Sequence, residues 1–153
     1  MTATVLTPST SVSVERAVVA VVVAVTAGAV EAVLRTAVEL DDPGSDVGAL
    51  ASGLGIRALV YLVVLGIAFR LRAGDGWART TLAVGLGTVG LASLVVEPMA
   101  ATLSANGFGE LIDDLDPVSV LIGVVRIVHI VAVVAALRYM FRRDARDRFA
   151  GRG

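Results

Sequence analysis

The stretch GVVRIVHIVAV, residues 123–133, sets an arginine and a histidine inside an otherwise unbroken apolar run. It lies within the segment 118–140, which is long enough to cross a bilayer as a helix, since about 20 mainly apolar residues suffice. Charged side chains in hydrocarbon are costly unless they are paired, and they normally face the interior of a bundle. The stretch therefore predicts a membrane-spanning helix that turns Arg126 and His129 toward other helices.

The composition extends this prediction to the whole chain. Of 153 residues, 56% are hydrophobic and 18% are charged, and the mean hydropathy is +0.84. A soluble domain of this size cannot bury so much apolar surface, so the predicted solvent is lipid. The chain has no cysteine, which excludes disulfides and thiol chemistry. All 13 of its positively charged residues are arginine and none is lysine, a bias typical of GC-rich bacterial genomes, which indicates a bacterial cytoplasmic membrane.

Four segments qualify as spans: 17–40, 50–69, 77–103 and 118–140. The short connections between them carry Gly, Pro and Asp, and they make consecutive helices antiparallel neighbours. The predicted fold class is therefore all-α, an integral membrane four-helix bundle of up-and-down topology within residues 17–142. We expect residues 1–16 to be a disordered cytoplasmic N-terminus and residues 143–153 to be a basic cytoplasmic tail. An A-x-A cleavage pattern at residues 27–29 is disfavoured because the helical pattern continues past it.

Charges in the connections predict the orientation. The connections 41–49 and 104–117 contain acids and no arginine, whereas the connection between the second and third spans and the C-terminal tail are rich in arginine. The acids are Asp41, Asp42, Asp46, Glu110, Asp113, Asp114 and Asp116, and the arginines beside the inner connection are Arg70, Arg72 and Arg79. Because arginine-rich segments stay in the cytoplasm, both termini are predicted to be cytoplasmic.

Each predicted span brings one charge to a similar depth in the outer leaflet: Glu31, Arg57, Glu97 and Arg126. Arg35 lies on the same face of the first span as Glu31. The order acid-bearing helix, arginine-bearing helix occurs twice, which suggests a tandem repeat of a two-helix hairpin. Alternation of the four charges around the bundle would lower their Coulomb energy, so we expect a tetrad in which each glutamate lies between two arginines.

Two interpretations of this charge network remain open. The simpler one is a buried ion network that fixes the register of the helices. The other is a small polar pocket, open to the extracytoplasmic side, that binds a ligand or passes protons. His129, the only histidine, is more typical of hydrogen-bonded packing than of a proton relay. The predicted spans show no acidic metal cluster and no serine within a His/Asp arrangement, and the acids of the connection 104–117 are more typical of a solvated loop than of a divalent-cation site. We therefore expect neither a metal, a cofactor nor an enzymatic activity.

Small residues recur every fourth position in the first span: Ala20, Ala24, Gly28, Ala32 and Thr36. Such a ridge lets a second helix approach closely, either within the bundle or between this chain and a copy or another membrane protein. The run GLGTVG at residues 85–90 matches a dinucleotide-binding fingerprint. That fingerprint requires a preceding strand, whereas this run lies inside a predicted span, so we interpret its glycines as packing residues.

The arginine-rich tail is predicted to contact anionic lipid head groups rather than nucleic acid. Arg142, Arg143 and Arg146 follow the last span directly. Asp144 and Asp147 interrupt the run, and aromatic side chains that could stack on bases are few. Membrane lipid is therefore the expected contact, and no nucleic-acid partner is expected.

The inner connection RAGDGWAR, residues 72–79, resembles the R-x-G-x-G-W-A-R loop of small four-span membrane proteins common in actinobacteria. The helix that carries Arg126 and His129 and ends in a basic tail is similar as well. The resemblance covers the last three spans. It implies membership of this group of proteins, a bacterial origin and the four-span topology, and it implies no activity.

The function expected from these observations is that of a non-enzymatic integral membrane protein, an accessory or interaction subunit with a buried Glu/Arg network. The alternative is a small transporter or ion-coupled carrier with an outward-facing polar pocket. Four-span drug exporters also hold a glutamate in their first span, but they line their cavity with aromatic residues, which are scarce in this chain.

Overall fold

The computed structural model of the protein describes residues 12–90, 92 and 116–142. Its helices are α1 (Val12–Leu40), α2 (Val47–Ala73), α3 (Gly76–Val84) and α4 (Pro117–Met140), and α3 continues into a π-helical segment, Gly85–Gly90. The described residues contain no strand. The predicted all-helical fold class is therefore confirmed for this part of the chain.

Three of the helices, α1, α2 and α4, are long and apolar enough to cross a membrane. Their bounds differ slightly from the predicted spans. α1 begins at Val12, inside the segment 1–16 that was expected to be disordered, α2 extends beyond 50–69 at both ends, and α4 begins one residue before 118. Of the predicted third span, 77–103, the structure describes mainly the first part, which is α3 and the π-helical segment.

Local residues explain where α2 and α4 begin and end. The Asp46 carboxylate accepts hydrogen bonds from the backbone N–H groups of Gly48 and Ala49 and so caps the N-terminus of α2. At the other end, Gly74 takes a left-handed conformation with φ 95°, and its N–H donates to the carbonyl of Leu71. Asp116 caps α4 by accepting from the N–H of Ser119 at 2.6 Å.

The core lies at the end of the molecule where α1 begins and α4 ends. Its buried side chains come from the first half of α1, the last turns of α2, α3 with the π-helical segment, and the last half of α4. They include Val14, Val21, Leu71, Leu82, Val133 and Met140. α1 has its most extensive contacts with α4 and packs against α2 as well. α1 is therefore the central helix of the described residues.

The ridge of small residues on α1 is part of this packing. Ala20, Ala24, Gly28 and Ala32 are buried within the chain, and Thr36 is half-buried. Of the two uses expected for the ridge, the structure shows helix packing inside the chain. No acid or arginine interrupts the ridge, so the close approach rests on van der Waals contact between small side chains.

The opposite half of the molecule is open. The first two thirds of α2 hold no buried residue, and the first half of α4 is mostly exposed. In α2 the most apolar window of 18 residues has no buried member, whereas more than half of the corresponding window in α1 is buried. α2 therefore presents a wide apolar surface that the described part of the chain leaves uncovered.

The run GLGTVG forms the π-helical segment, and it does not form a phosphate-binding loop after a strand. Three of its six residues are glycine, which has low helix propensity, so a wider turn costs little here. The side chain of Leu137 on α4 lies 3.7 Å from the position that a Cβ of Gly87 would occupy. Gly87 thus faces α4, whereas a Cβ at Gly85 would meet nothing within 4 Å and one at Gly90 would meet only atoms of the π-helical segment itself.

Candidate functional site

A charged cluster joins α1 to α4 near the boundary between the packed and the open halves. Glu31 on α1 accepts a hydrogen bond from Arg126 on α4, with the guanidinium Nε 2.8 Å from Oε1. Glu31 is the only buried charged residue in the described part of the chain, and the Arg126 side chain is 13% exposed. Charge-assisted hydrogen bonds of this kind are among the strongest in proteins.

Two further cationic or titratable side chains face the same carboxylate. The Nε of Arg35, one helical turn after Glu31 on α1, lies 3.4 Å from Oε1. On α4, the Nδ1 of His129 lies 3.7 Å from Oε2, and it is buried with no hydrogen-bond partner among the described residues. The carboxylate of Glu31 is thus the centre of the cluster, and groups from two helices surround it.

Gly28 gives these side chains the space that they need. A Cβ at position 28 would lie 2.7 Å from Cε1 of His129 and 2.8 Å from the hydroxyl oxygen of Tyr61 on α2. Real Cβ atoms essentially never come so close to other heavy atoms. The ridge position that was predicted for backbone approach is therefore also the place where side chains of α2 and α4 lie over α1.

Tyr61 is a member of this cluster that the sequence did not identify. It lies four residues after Arg57, so the two share one face of α2, and this spacing was the available signal. An aromatic residue in an apolar helix is so commonly a packing residue that the spacing alone does not single it out.

The structure joins four of the six predicted network residues in one cluster, and a fifth, Arg57, lies outside its ion pairs. Glu31, Arg35, Arg126 and His129 form the cluster. Arg57 is exposed on α2, and no ion pair joins it to another described residue. Glu97 lies outside the described residues. The alternating tetrad and the tandem repeat, which both depend on Glu97, stay predictions.

The physical role of the Glu31–Arg126 pair follows from its surroundings. Removing two charges from water is expensive, and their mutual attraction compensates only when the geometry is good. The short contact and the additional cation of Arg35 supply that geometry at Glu31. Because the partners belong to α1 and α4, only one register of these helices keeps both charges satisfied. The cluster therefore fixes how the two helices align.

The described residues offer no metal centre, since no group of three or more metal-ligating side chains occurs among them. Two open clefts, of about 460 and 310 Å³, lie near the two ends of α1. The first is lined by Glu15, Arg16 and Tyr139 among others, and the second by residues of the connection between α1 and α2. Neither cleft includes a member of the Glu31 cluster.

Of the arginines expected at lipid head groups, the structure describes Arg142. Its guanidinium lies over the ring of Tyr139, 5.2 Å from the centroid, and Arg79 stacks over Phe141 in the same way at 5.1 Å. Arg143 and Arg146 lie outside the described residues, as do the acids Glu110, Asp113 and Asp114 of the predicted outer connection.

Comparisons with known proteins found no match: no family model, no curated protein and no solved structure resembles this chain significantly.

Proposed function

We propose that the protein is an integral membrane protein that crosses a bacterial cytoplasmic membrane four times, as an antiparallel bundle with both termini in the cytoplasm. The length and apolar character of α1, α2 and α4 support three of the spans. The fourth would comprise α3, the π-helical segment and the apolar sequence that follows, up to residue 103. The resemblance to small four-span actinobacterial proteins is part of the same proposal.

The orientation rests on the distribution of arginine, and cysteine labelling tests it. Cysteine introduced at Asp46 or Asp114 should react with a membrane-impermeant maleimide added outside intact cells. Cysteine at Gly76, an exposed position where a Cβ meets nothing within 4 Å, should react only after the cells are permeabilised. The reverse pattern would refute the orientation.

Within the membrane, the proposed role is that of a non-enzymatic accessory or interaction subunit. The observation that carries this proposal is the uncovered apolar surface of α2, whose most apolar window has no buried residue although α2 packs against α1. A protein that binds or transports a ligand between its own helices would pack those helices around the ligand site. Among the described residues α1 packs most extensively with α4, and the proposed partner would contact the apolar surface of α2 that these residues leave exposed.

Photo-crosslinking in the native host tests this role. A photoreactive amino acid at the exposed positions Leu59, Leu62 or Val63 of α2 should give adducts of discrete higher mass. The same amino acid at the buried positions Ala17 or Val133 should give none, because those side chains contact only this chain. Lipid adducts alone from all positions would contradict the interaction role.

A small transporter or ion-coupled carrier is the second candidate, and the buried carboxylate of Glu31 favours it. Carriers commonly use an acid within the membrane to couple proton or cation movement. Purified protein in liposomes should then support ion or proton flux that Glu31→Gln abolishes. Background flux from both the parent and Glu31→Gln would refute the carrier and leave the interaction role.

A further inference from the structure

The first turns of α1 and the end of α4 form an open cleft of about 460 Å³. Its lining residues are Val12, Glu15, Arg16, Val19, Ala20 and Tyr139. The lining thus combines an acid and the arginine that follows it with apolar and aromatic side chains. A cleft of this size is within the range that holds a small organic ligand.

The two charges of this cleft have no ion-pair partner among the described residues. Glu15 and Arg16 are both exposed, and no ion pair joins either of them to another described residue. Consecutive residues of a helix do not face each other, so the carboxylate and the guanidinium can contact different groups of one ligand. They are complementary to a ligand that has both a cationic and an anionic group.

The depth of the cleft indicates which ligand this is. α1 has 29 residues and is about 42 Å long at about 1.5 Å per residue. When α1 is centred in a hydrocarbon layer of about 30 Å, about four residues extend beyond each edge. Glu15 and Arg16 then lie at the level of the lipid head groups, whereas Val19 and Ala20 lie inside the hydrocarbon. In the orientation proposed above, this edge belongs to the cytoplasmic leaflet.

We propose that the cleft binds a phospholipid of the cytoplasmic leaflet whose head group carries a primary ammonium, a phosphatidylethanolamine. Arg16 binds the phosphate, and the carboxylate of Glu15 accepts a hydrogen bond from the ammonium. The acyl chains lie along the apolar side chains of Val19 and Ala20. This proposal rests on the topology proposed above and adds a lipid-binding site to it.

The chemistry of the lining selects this head group over two other common ones. The quaternary ammonium of phosphatidylcholine has no N–H, so it cannot donate a hydrogen bond to Glu15. The head group of phosphatidylglycerol has no cation, so its binding would leave the carboxylate unpaired beside the phosphate. Arginine without an acid would favour an anionic lipid, and the acid next to Arg16 changes that preference.

The α4 side of the cleft adds a second arginine. The guanidinium of Arg142 lies over the ring of Tyr139, 5.2 Å from its centroid, and this stacking holds it beside the cleft. Tyrosine is common at membrane interfaces because its ring is apolar and its hydroxyl is polar. Arg142 attracts the phosphate, which ethanolamine and choline lipids share, so it affects the affinity and not the choice between these head groups.

Native mass spectrometry of the full-length protein in detergent micelles tests the proposal. The protein is titrated with dioleoyl phosphatidylethanolamine or dioleoyl phosphatidylcholine, which have the same chains and the same net charge. One exposed charge-assisted hydrogen bond corresponds to less than a decade of affinity, so the parent should bind the ethanolamine lipid about fivefold more tightly. Equal affinities would overturn the proposal, and they are the result expected if residues 1–11 of this chain cover the cleft instead.

Substitutions separate the contact with the ammonium from the contact with the phosphate. Glu15→Gln should remove the preference, because the amide has no charge, and should change the affinity for phosphatidylcholine little. Arg16→Gln should weaken the binding of both lipids about equally and keep the preference. Glu39→Gln and Arg72→Gln remove an exposed acid and an exposed arginine elsewhere, so they should change neither quantity. A preference that survives in Glu15→Gln would mean that head-group size selects the lipid, and the proposal would be wrong.

A photoreactive ethanolamine lipid locates the contact. With a diazirine in its acyl chain, this lipid should modify the first turns of α1, and labelling of other segments alone would refute the site. Stronger labelling of the same turns by a matched phosphatidylglycerol probe would overturn the proposal in favour of an anionic lipid. If cysteine labelling confirms the orientation while the two zwitterionic lipids bind equally, the topology stands and the lipid site is wrong.

Discussion

α1 and α2 are helices of similar length, 29 and 27 residues, and of similar apolar composition, yet one is the centre of the packing and the other is open. α1 repeats small residues every fourth position, which aligns them on a single face. α2 has glycines too, but Gly53, Gly55 and Gly66 face open space. Hydropathy therefore identifies both as helices that are apolar enough to cross a membrane, whereas the spacing of small residues identifies the one that this chain packs around.

The arginines repeat the same contrast. Arg126 on α4 is held by a carboxylate of α1, and Arg57 on α2 is exposed. The charge that is paired inside the chain contributes to its folding. The charge that is exposed forms no ion pair with another described residue, so its removal should change the stability of the isolated chain little. Stability measurements on the purified protein can separate these two cases.

The largest effect is expected for Arg126→Leu, which leaves Glu31 buried with a weaker set of partners. Removing one member of a buried ion pair typically costs about 3–5 kcal/mol. The free energy of unfolding, measured by titration with SDS in mixed micelles, should fall by that amount. Arg57→Leu should leave it unchanged, because no described residue pairs with Arg57.

A double variant tests whether this loss comes from the stranded carboxylate. Glu31→Leu combined with Arg126→Leu removes both charges, and such replacements are often close to neutral. The double variant should therefore be more stable than Arg126→Leu alone. If the double variant loses as much free energy of unfolding as Glu31→Leu and Arg126→Leu lose when their separate losses are added, the pair does not couple α1 to α4 in the way described.

The second effect, Gly28→Ala, concerns space rather than charge. The new Cβ would collide with His129 and Tyr61, and overpacking of this kind typically costs about 1–3 kcal/mol. Gly66→Ala is the matched control, since a Cβ there meets nothing within 4 Å and alanine favours a helix by about 0.5–1 kcal/mol. The same SDS titration should show a loss for the first and a small gain for the second. If both Gly28→Ala and Gly66→Ala are more stable than the parent, the space beside Gly28 on α1 is as open as the space beside Gly66 on α2.

Much of this architecture was predictable, and the reason is the regular rise of a helix. The apolar runs predicted the three long helices, and counting residues from the span ends placed Glu31 and Arg126 at one depth, where the structure has them 2.8 Å apart. Arg57 was placed at that depth too, but depth does not specify direction. α2 is apolar on all sides, so its sequence carries no periodic signal for the face that packs. The position of Tyr61 over Gly28 depends on that same rotation of α2.

The smallest effect is expected at the open end of α4, where Asp116 caps the helix. The hydrogen bonds from the side chain and the backbone N–H of Ser119 lower the pKa of Asp116 below its usual 3.8. A carboxyl whose pKa is lowered by folding stabilises the protein above the unfolded pKa, and that contribution disappears as the pH falls through the folded pKa.

Asp116→Asn keeps a capping side chain but does not titrate. The parent should therefore unfold at a slightly higher temperature than Asp116→Asn at pH 7, and this difference should shrink below about pH 4. Comparing the two proteins at each pH cancels the titration of the other acids, and thermal melts followed by circular dichroism supply the measurement. A difference that stays constant from pH 7 to pH 2.5 would mean that the Asp116 charge does not stabilise α4, and that the packing of α4 on α1 orders this end without it.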